Sequence, residues 1–312
     1  LPPITPAQSA VPTLTPLSDT QRAAQGQLAL APEISDAHND DKTTGSDNPT
    51  SLPSQSARYP TLSSAPLTKT QSEALGAELD TIYKNVMDSL GSDDARYIQR
   101  IYATVAYSEV AARGLLAAVG RMPSRRSQVA TWLLGTSLLS FSKILNNMEL
   151  GHNVMHGQYD WMQHPHLNSQ KFDWDIVCPA PLWQHSHNYL HHTFTNIVGR
   201  DHDVGYHLIR VTDEQPWVPE DRYNLLSTAG LALGFEWAVA FHDIQISADE
   251  YADSPELHQI MQQKSCALFA KIGRQMGKDY VVLPMIAAIT LGRRSAVSTL
   301  SGNVTANIVR NL

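Results

Sequence analysis

Two apolar runs most constrain how this chain can fold: Val129 to Leu145 and Leu225 to Phe241 each hold 17 residues with one charge, Lys143 in the first and Glu236 in the second. They bracket a segment, His152 to His207, that contains ten of the chain's 13 histidines. At ~1.5 Å per residue each run is roughly 25 Å long as a helix, just short of the ~30 Å core of a bilayer. A third apolar run, Val281 to Leu291, is shorter. Runs of this length serve either as buried helices of a soluble bundle or as membrane helices, and length leaves both open. Small residues within them, with Trp132, Trp217 and Trp237 near their ends, favour lipid. Both readings make the chain all-α, a helical bundle.

Ahead of the first run, Leu75, Leu79, Ile82 and Val86, then Ile98, Ile101, Tyr102, Val105 and Val110, recur at helical spacing. Gly91-Ser92-Asp93-Asp94 breaks the pattern, and Ser92, Asp93 or Asp94 is expected to cap the second helix. Residues 1–70 differ in kind. They carry ten of the 18 prolines, are rich in Ser and Thr, and show no sustained apolar period, which reads as a disordered tail. The organisation expected is therefore a tail over 1–70 and a helical domain over 71–312.

Composition removes several classes of function. A net charge of −7 with no long basic run argues against nucleic acid as a partner. Cys178 and Cys266 form no disulfide framework and no Cys-x-x-Cys pair. The opening Leu-Pro-Pro has neither the basic start nor the apolar stretch of a signal peptide. No Gly-x-Gly-x-x-Gly turn or Walker loop is present, so a nicotinamide, flavin or nucleotide site of those kinds is not expected within the chain.

The histidines carry the chemistry. His152 and His156 stand at i and i+4 directly after the first apolar run, as do His187 and His191 further on, so each pair shares one helical face. His192 is turned about 100° from His191 and can reach a second metal, which suggests a dinuclear site. A zinc peptidase is excluded because Asn153 stands where HExxH requires a glutamate. A soluble four-helix diiron protein needs two Glu-x-x-His units, and only Glu149-x-x-His152 is present. An adventitious metal-storage cluster stays open.

The stretches GHNVMHGQYDWM and HSHNYLHHTFTNI, followed by DVGY, resemble the first two histidine boxes of the integral-membrane fatty acid desaturases, in particular the bacterial acyl-lipid or acyl-CoA type. The resemblance covers roughly residues 123–312. It implies that His152, His156, His187, His191 and His192 ligate two iron ions, and that O2 and two electrons convert adjacent methylenes of an acyl chain into a double bond. It further implies a fatty acyl lipid or acyl-CoA substrate, and a separate reductase acting through ferredoxin, rubredoxin or a cytochrome b5-like carrier. The expected location is a multi-pass membrane protein with its boxes facing the cytoplasm. An alkane or lipid hydroxylase of the same superfamily, and a non-catalytic metal-binding helical protein, are the alternatives.

The family's third box, His-x-x-His-His or Gln-x-x-His-His, is missing, since only His242 and His258 follow His207. The chain therefore reads as truncated within a continuing helix at Asn303 to Leu312, and a polypeptide with five box histidines is expected to bind iron poorly and turn over little. Among the other residues, Glu149, Asp160, Asp201 and Asp203 are candidates to receive the free imidazole N–H of a ligand. His185 and His202 match no box position, while His164 and His166 flank Pro165 in an expected loop. Trp161, Trp174 and Trp183 read either as walls of an acyl tunnel or as interfacial anchors. The implied topology conflicts with one local signal: a hairpin of 101–120 and 129–145 puts Arg121, Arg125 and Arg126 outside, against the positive-inside rule.

Overall fold

The expected break at Gly91 separates two helices in the computed structural model, which describes residues 66–250 and 252–312. The tail expected over 1–70 lies almost wholly outside the described residues. Helix α1 (Lys69–Ser89) opens with a reciprocal cap, in which Gln71 N–H donates to Thr68 Oγ1 at 3.3 Å and Thr68 N–H donates to Gln71 Oε1 at 3.0 Å. Its stripe of Leu75, Leu79, Ile82 and Val86 is exposed along its length. Helix α2 (Ser92–Ala118) follows, with a correction to the expected cap. The N-cap is Gly91, and Asp94 acts from the first turn by accepting the Gly91 N–H at 2.9 Å.

Ile98, Val105, Ala112 and Leu116 form the buried face of α2. The turn Val119–Arg121 reverses the chain, and Ser124 caps α3 (Arg125–Ile144) by accepting Ser127 N–H at 3.1 Å. The two helices are an antiparallel hairpin, pinned by Ser142 Oγ donating to Val105 O at 2.9 Å. Helix α3 continues as a π-helical turn, Leu145–His152, and one α-turn, Asn153–Met155. The second histidine segment repeats that form: Ala180–Trp183 winds into a π-helical turn, Gln184–His191, and then into His192–Phe194.

Helix α4 (Asn224–Glu250) departs from helical geometry at Gly234. Helix α5 (Leu257–Met276) runs through another π-turn, Gly277–Val282, into α6 (Leu283–Leu291). At Gly292 φ is +95°, a conformation that a side chain resists, and there the chain turns into α7 (Arg293–Asn311). Helix α7 lies against α2, α3, α4 and α6. No strand occurs among the described residues, so the fold is all-α as expected.

Helices α7 and α3 bury polar faces and expose apolar ones, the reverse of the usual pattern in a protein that folds in water. Helix α7 buries Ser295, Ser298, Thr299, Asn303, Asn307 and Arg310, while Val297, Leu300, Val304 and Ile308 face outward. On α3 the buried set includes Thr136, Ser140 and Lys143, and Val129, Leu133, Leu134 and Phe141 are exposed. Charges are paired inside. Asp279, fully buried, meets Arg113 at 3.0 Å and Lys143 at 3.1 Å, and Arg310 meets Glu236 at 2.7 Å. One stretch among the described residues, Pro219–Ile246 with 28 residues, is long and apolar enough to cross a membrane. The expected runs at 129–145 and 281–291 do not reach that measure.

Candidate metal centre

Both histidine segments sit in π-helical turns, which take more residues per turn than an α-helix and are frequent at functional sites. Residues four apart stay on one face in that geometry, so the expected pairs survive the change in winding. His152 Nε2 and His156 Nε2 face each other at 3.0 Å. The second segment is tied to the end of the first through one carbonyl: Gln184 Nε2 and Asn188 Nδ2 donate to Met155 O at 3.1 and 2.9 Å.

The five box imidazoles meet. Ring centroids are 5.2 Å apart for His152 and His187, 5.3 Å for His156 and His187, and 4.8 Å for His156 and His192. Ligand atoms of His152, His156 and His187 lie within 4.8 Å of one another, as do those of His187, His191 and His192. The two triads overlap at His187, so all five rings border one common space.

Two of the four candidate carboxylates hold these rings. His187 Nδ1 pairs with Asp203 at 2.9 Å, and His191 Nδ1 pairs with both oxygens of Asp201 at 3.0 Å. Each pairing favours the tautomer that leaves Nε2 free to take a metal. Asp201 is itself oriented by Asn196 N–H at 2.7 Å and Asp203 N–H at 2.9 Å. Glu149 and Asp160 lie elsewhere: Glu149 accepts the Tyr97 hydroxyl, and Asp160 accepts Ser169 N–H at 2.7 Å. Burial, with the neighbouring His152, pushes the His156 pKa down to about 4, and burial with His187 nearby also lowers His152. Neutral imidazoles are the form that binds metal.

The remaining histidines part from the box. His164 Nδ1 accepts the N–H groups of His166 and Leu167 at 3.2 and 3.0 Å, which folds the expected loop. His185 stacks on Tyr189, and His202 joins His207 and His242 in a separate ring cluster with centroids 4.8 to 5.5 Å apart. His207 and Tyr206 both have positive φ, 56° and 52°, in the turn that brings this cluster together.

The three candidate tryptophans divide by burial. Trp183 and Trp174 are buried core residues rather than interfacial anchors, whereas Trp161 is partly exposed. Trp183 stacks on His187 at 4.4 Å, touches His152 at 5.3 Å and His156 at 5.6 Å, and is backed by Trp174 at 4.9 Å. The available signal was the spacing of Trp183 and His187, four residues apart. On the other side, a cavity of about 350 Å³ opens against His191 and Asp203, with Val204, Ile209, Val211 and Leu231 among its walls.

With this geometry in view, the chain is similar to known proteins. An NADPH-dependent stearoyl-CoA 9-desaturase of Mycobacterium tuberculosis is 41% identical over 254 residues, which is 80% of this chain and 56% of that protein. An sn-1 linoleoyl-lipid 6-desaturase of Synechocystis is 30% identical over 118 residues, 36% of this chain and 32% of that protein. The chain thus spans about half the length of the M. tuberculosis relative. No protein-family profile and no solved structure matches it.

Proposed function

Over the region that matches, this chain belongs to the bacterial fatty acid desaturases, and from that premise we propose that it serves oxygen-dependent desaturation of a fatty acyl chain at a histidine-ligated diiron centre. The observation that carries this reading is the meeting of five box imidazoles from two separate segments, with Asp201 and Asp203 fixing two of them. The donor set suits iron: imidazole is a ligand iron accepts, and His152 and His156 are held in their neutral form. His152, His156, His187, His191 and His192 would hold the two ions.

When bound, the irons supply the means to activate O2 for removal of hydrogen from an unactivated methylene. The chain's own residues do the rest. Asp203 and Asp201 hold the Nδ1 protons of His187 and His191, so these rings keep one orientation. Trp183 and Trp174 close one side against water, and the Gln184 and Asn188 amides keep the two segments in register. The cavity beside His191, with its aliphatic walls, takes the acyl chain in this reading. The reaction balances as two adjacent CH2 groups, O2, two electrons and two protons giving a double bond and two waters. An acyl-CoA or acyl-lipid substrate follows from the relatives' names. NADPH is the ultimate donor by the same token, acting through a separate reductase and a ferredoxin, rubredoxin or cytochrome b5-like carrier.

Integral, multi-pass membrane placement belongs to the same proposal. Its support is the inverted polarity of α3 and α7 together with the apolar stretch Pro219–Ile246. The box turns would face the cytoplasm, where a reductase chain is available. The relatives are named desaturases, which does not favour a hydroxylase or a non-catalytic metal-binding protein.

Expression of a full-length version with iron and a reductase chain, followed by fatty acyl analysis, tests the reaction: new double bonds are expected, and new hydroxyls alone would assign the protein to the hydroxylases. Iron content tests the site. In the full-length version, His156→Ala and His191→Ala are expected to lose iron and turnover together, and full retention of both would overturn the ligand assignment.

A further inference from the structure

Five arginines gather at the end of the bundle away from the histidines. Helix α3 starts at Arg125 and, with 20 residues, rises about 30 Å before its π-turn leads to His152. At its start stand Arg121, Arg125 and Arg126, and beside them Arg293 and Arg294 open α7. The two turns touch: Arg121 Nη2 donates to Thr290 O at 3.4 Å, and a Cβ placed on Gly120 would lie 3.2 Å from Arg294 Cβ. All five arginines are exposed, and none forms an ion pair with a carboxylate among the described residues.

No carboxylate is built nearby in the chain. The segments 114–148 and 280–312, which supply α3, α7 and both turns, contain neither Asp nor Glu. In a chain of net charge −7, this is a local excess of positive charge that no ion pair among the described residues offsets. On the open face of α3, Arg125 and Arg126 are followed directly by Val129, Ala130 and Leu133. Beyond them the exposed surface is aliphatic, with Leu134 on α3, Ile286 and Ile289 on α6 and Val297 on α7.

We propose that this end of the bundle binds the phosphate of anionic membrane phospholipids, the guanidinium groups holding the headgroup and the acyl chains lying along Val129, Leu133 and Val297. A guanidinium matches phosphate with two parallel hydrogen bonds, and the positive ends of the α3 and α7 dipoles add to the same field. The lipid is favoured over free phosphate because the open face of α3 leads straight from the arginines onto aliphatic surface. This inference rests on the lipid-embedded placement proposed above. It adds a headgroup preference, at a site remote from the metal centre.

The test uses the purified chain reconstituted in nanodiscs of phosphatidylcholine with a minor fraction of phosphatidylglycerol, followed by quantification of lipid retained after detergent extraction. Phosphatidylglycerol is expected to be enriched over the bulk ratio. Arg125→Gln with Arg126→Gln should reduce that enrichment by about fivefold per arginine removed, and Arg125→Lys with Arg126→Lys should fall between the parent and the Gln variant, since an ammonium keeps the charge but not the paired hydrogen bonds. Circular dichroism checks that each variant is folded, and the separate pair Arg293→Gln with Arg294→Gln repeats the measurement should the first be unfolded. Retention at the bulk ratio, equal enrichment in the Gln variants, or full competition by inorganic phosphate would each overturn the proposal. Recovery of the chain in the aqueous phase would instead overturn the membrane placement, and this inference with it.

Discussion

Removing the Asp201 carboxylate leaves three donors without their acceptor: His191 Nδ1–H, Asn196 N–H and Asp203 N–H. Asp203→Ala removes only the partner of His187 and the more distant contact to His191 at 3.7 Å. Loss of such a supporting carboxylate typically costs 10–100-fold in metal affinity. Asp201→Ala is thus expected near the upper end of that range and Asp203→Ala near the lower, read by iron competition against a chelator of known affinity. Equal, undiminished affinity in both variants would count against the tautomer-fixing role. Much of this site was legible in the chain, because imidazoles four apart on a helix share a face whatever its exact winding. Which carboxylate reaches which ring was not. Glu149 and Asp160 stand nearer a box in sequence than Asp201 and Asp203, but the fold directs them to Tyr97 and Ser169. Which of its two readings held for Trp183 was not legible either, because composition does not distinguish a ring that packs on a box histidine from one that sits at a membrane surface.

At the scale of elements, α7 is held to the α2–α3 hairpin by close approach. A Cβ on Gly302 would come within 2.6 Å of Leu116, and Leu116 is fully buried and already tight against Gly135, where a Cβ would lie 3.1 Å away. Leu116 therefore has no room to yield. Gly302→Ala is expected to destabilise by about 1–3 kcal/mol, the usual cost of overpacking. Gly114→Ala, on α2 with nothing within 4 Å of the added Cβ, is expected to be neutral or to stabilise by up to about 1 kcal/mol through helix propensity. Thermal unfolding of the two variants in the same detergent gives the comparison, and similar midpoints would remove the packing explanation. The sequence showed α1 and α2 nearly to their ends, because their apolar residues repeat at helical spacing and Gly91 interrupts them. It did not show the start of α7. There the helical period is carried by buried Ser295, Ser298, Thr299, Gly302 and Asn303, small and polar residues that a search for apolar periodicity passes over. The π-turns at both boxes leave no compositional mark either, since their register depends on what the turn packs against.

For the molecule as a whole, the loop between the two boxes is joined to four other elements through one residue. The Asp175 side chain, 20% exposed, pairs with Lys143 at the end of α3 and, at 2.8 Å, with Lys278 of the π-turn after α5. Gln275 of α5 donates to the same carboxylate at 2.6 Å, and Arg310 of α7 donates to the Asp175 backbone carbonyl. Burial by itself would raise the pKa of this carboxyl, but Lys143, and next Lys278, outweigh it and hold the group well below the ordinary range. A folded-state pKa below the unfolded value of about 3.9 means that the stabilisation is complete at neutral pH and is lost as pH falls below about 4. The midpoint of thermal unfolding in detergent should accordingly change little between about pH 7 and 5 on account of this group, then drop at lower pH. Asp175→Asn should start lower at neutral pH by about 3 kcal/mol, near the low end for a broken buried pair, because Lys143 keeps Asp279 as a partner. The variant should also lose part of the acid sensitivity, since the titrating group is gone. A variant as stable as the parent at pH 7, or with an unchanged acid limb, would show that the boxes are held in register without this network. The packing of Trp174, next to Asp175 in the chain, against Trp183 would then have to do that together with the Gln184 and Asn188 amides on Met155 O.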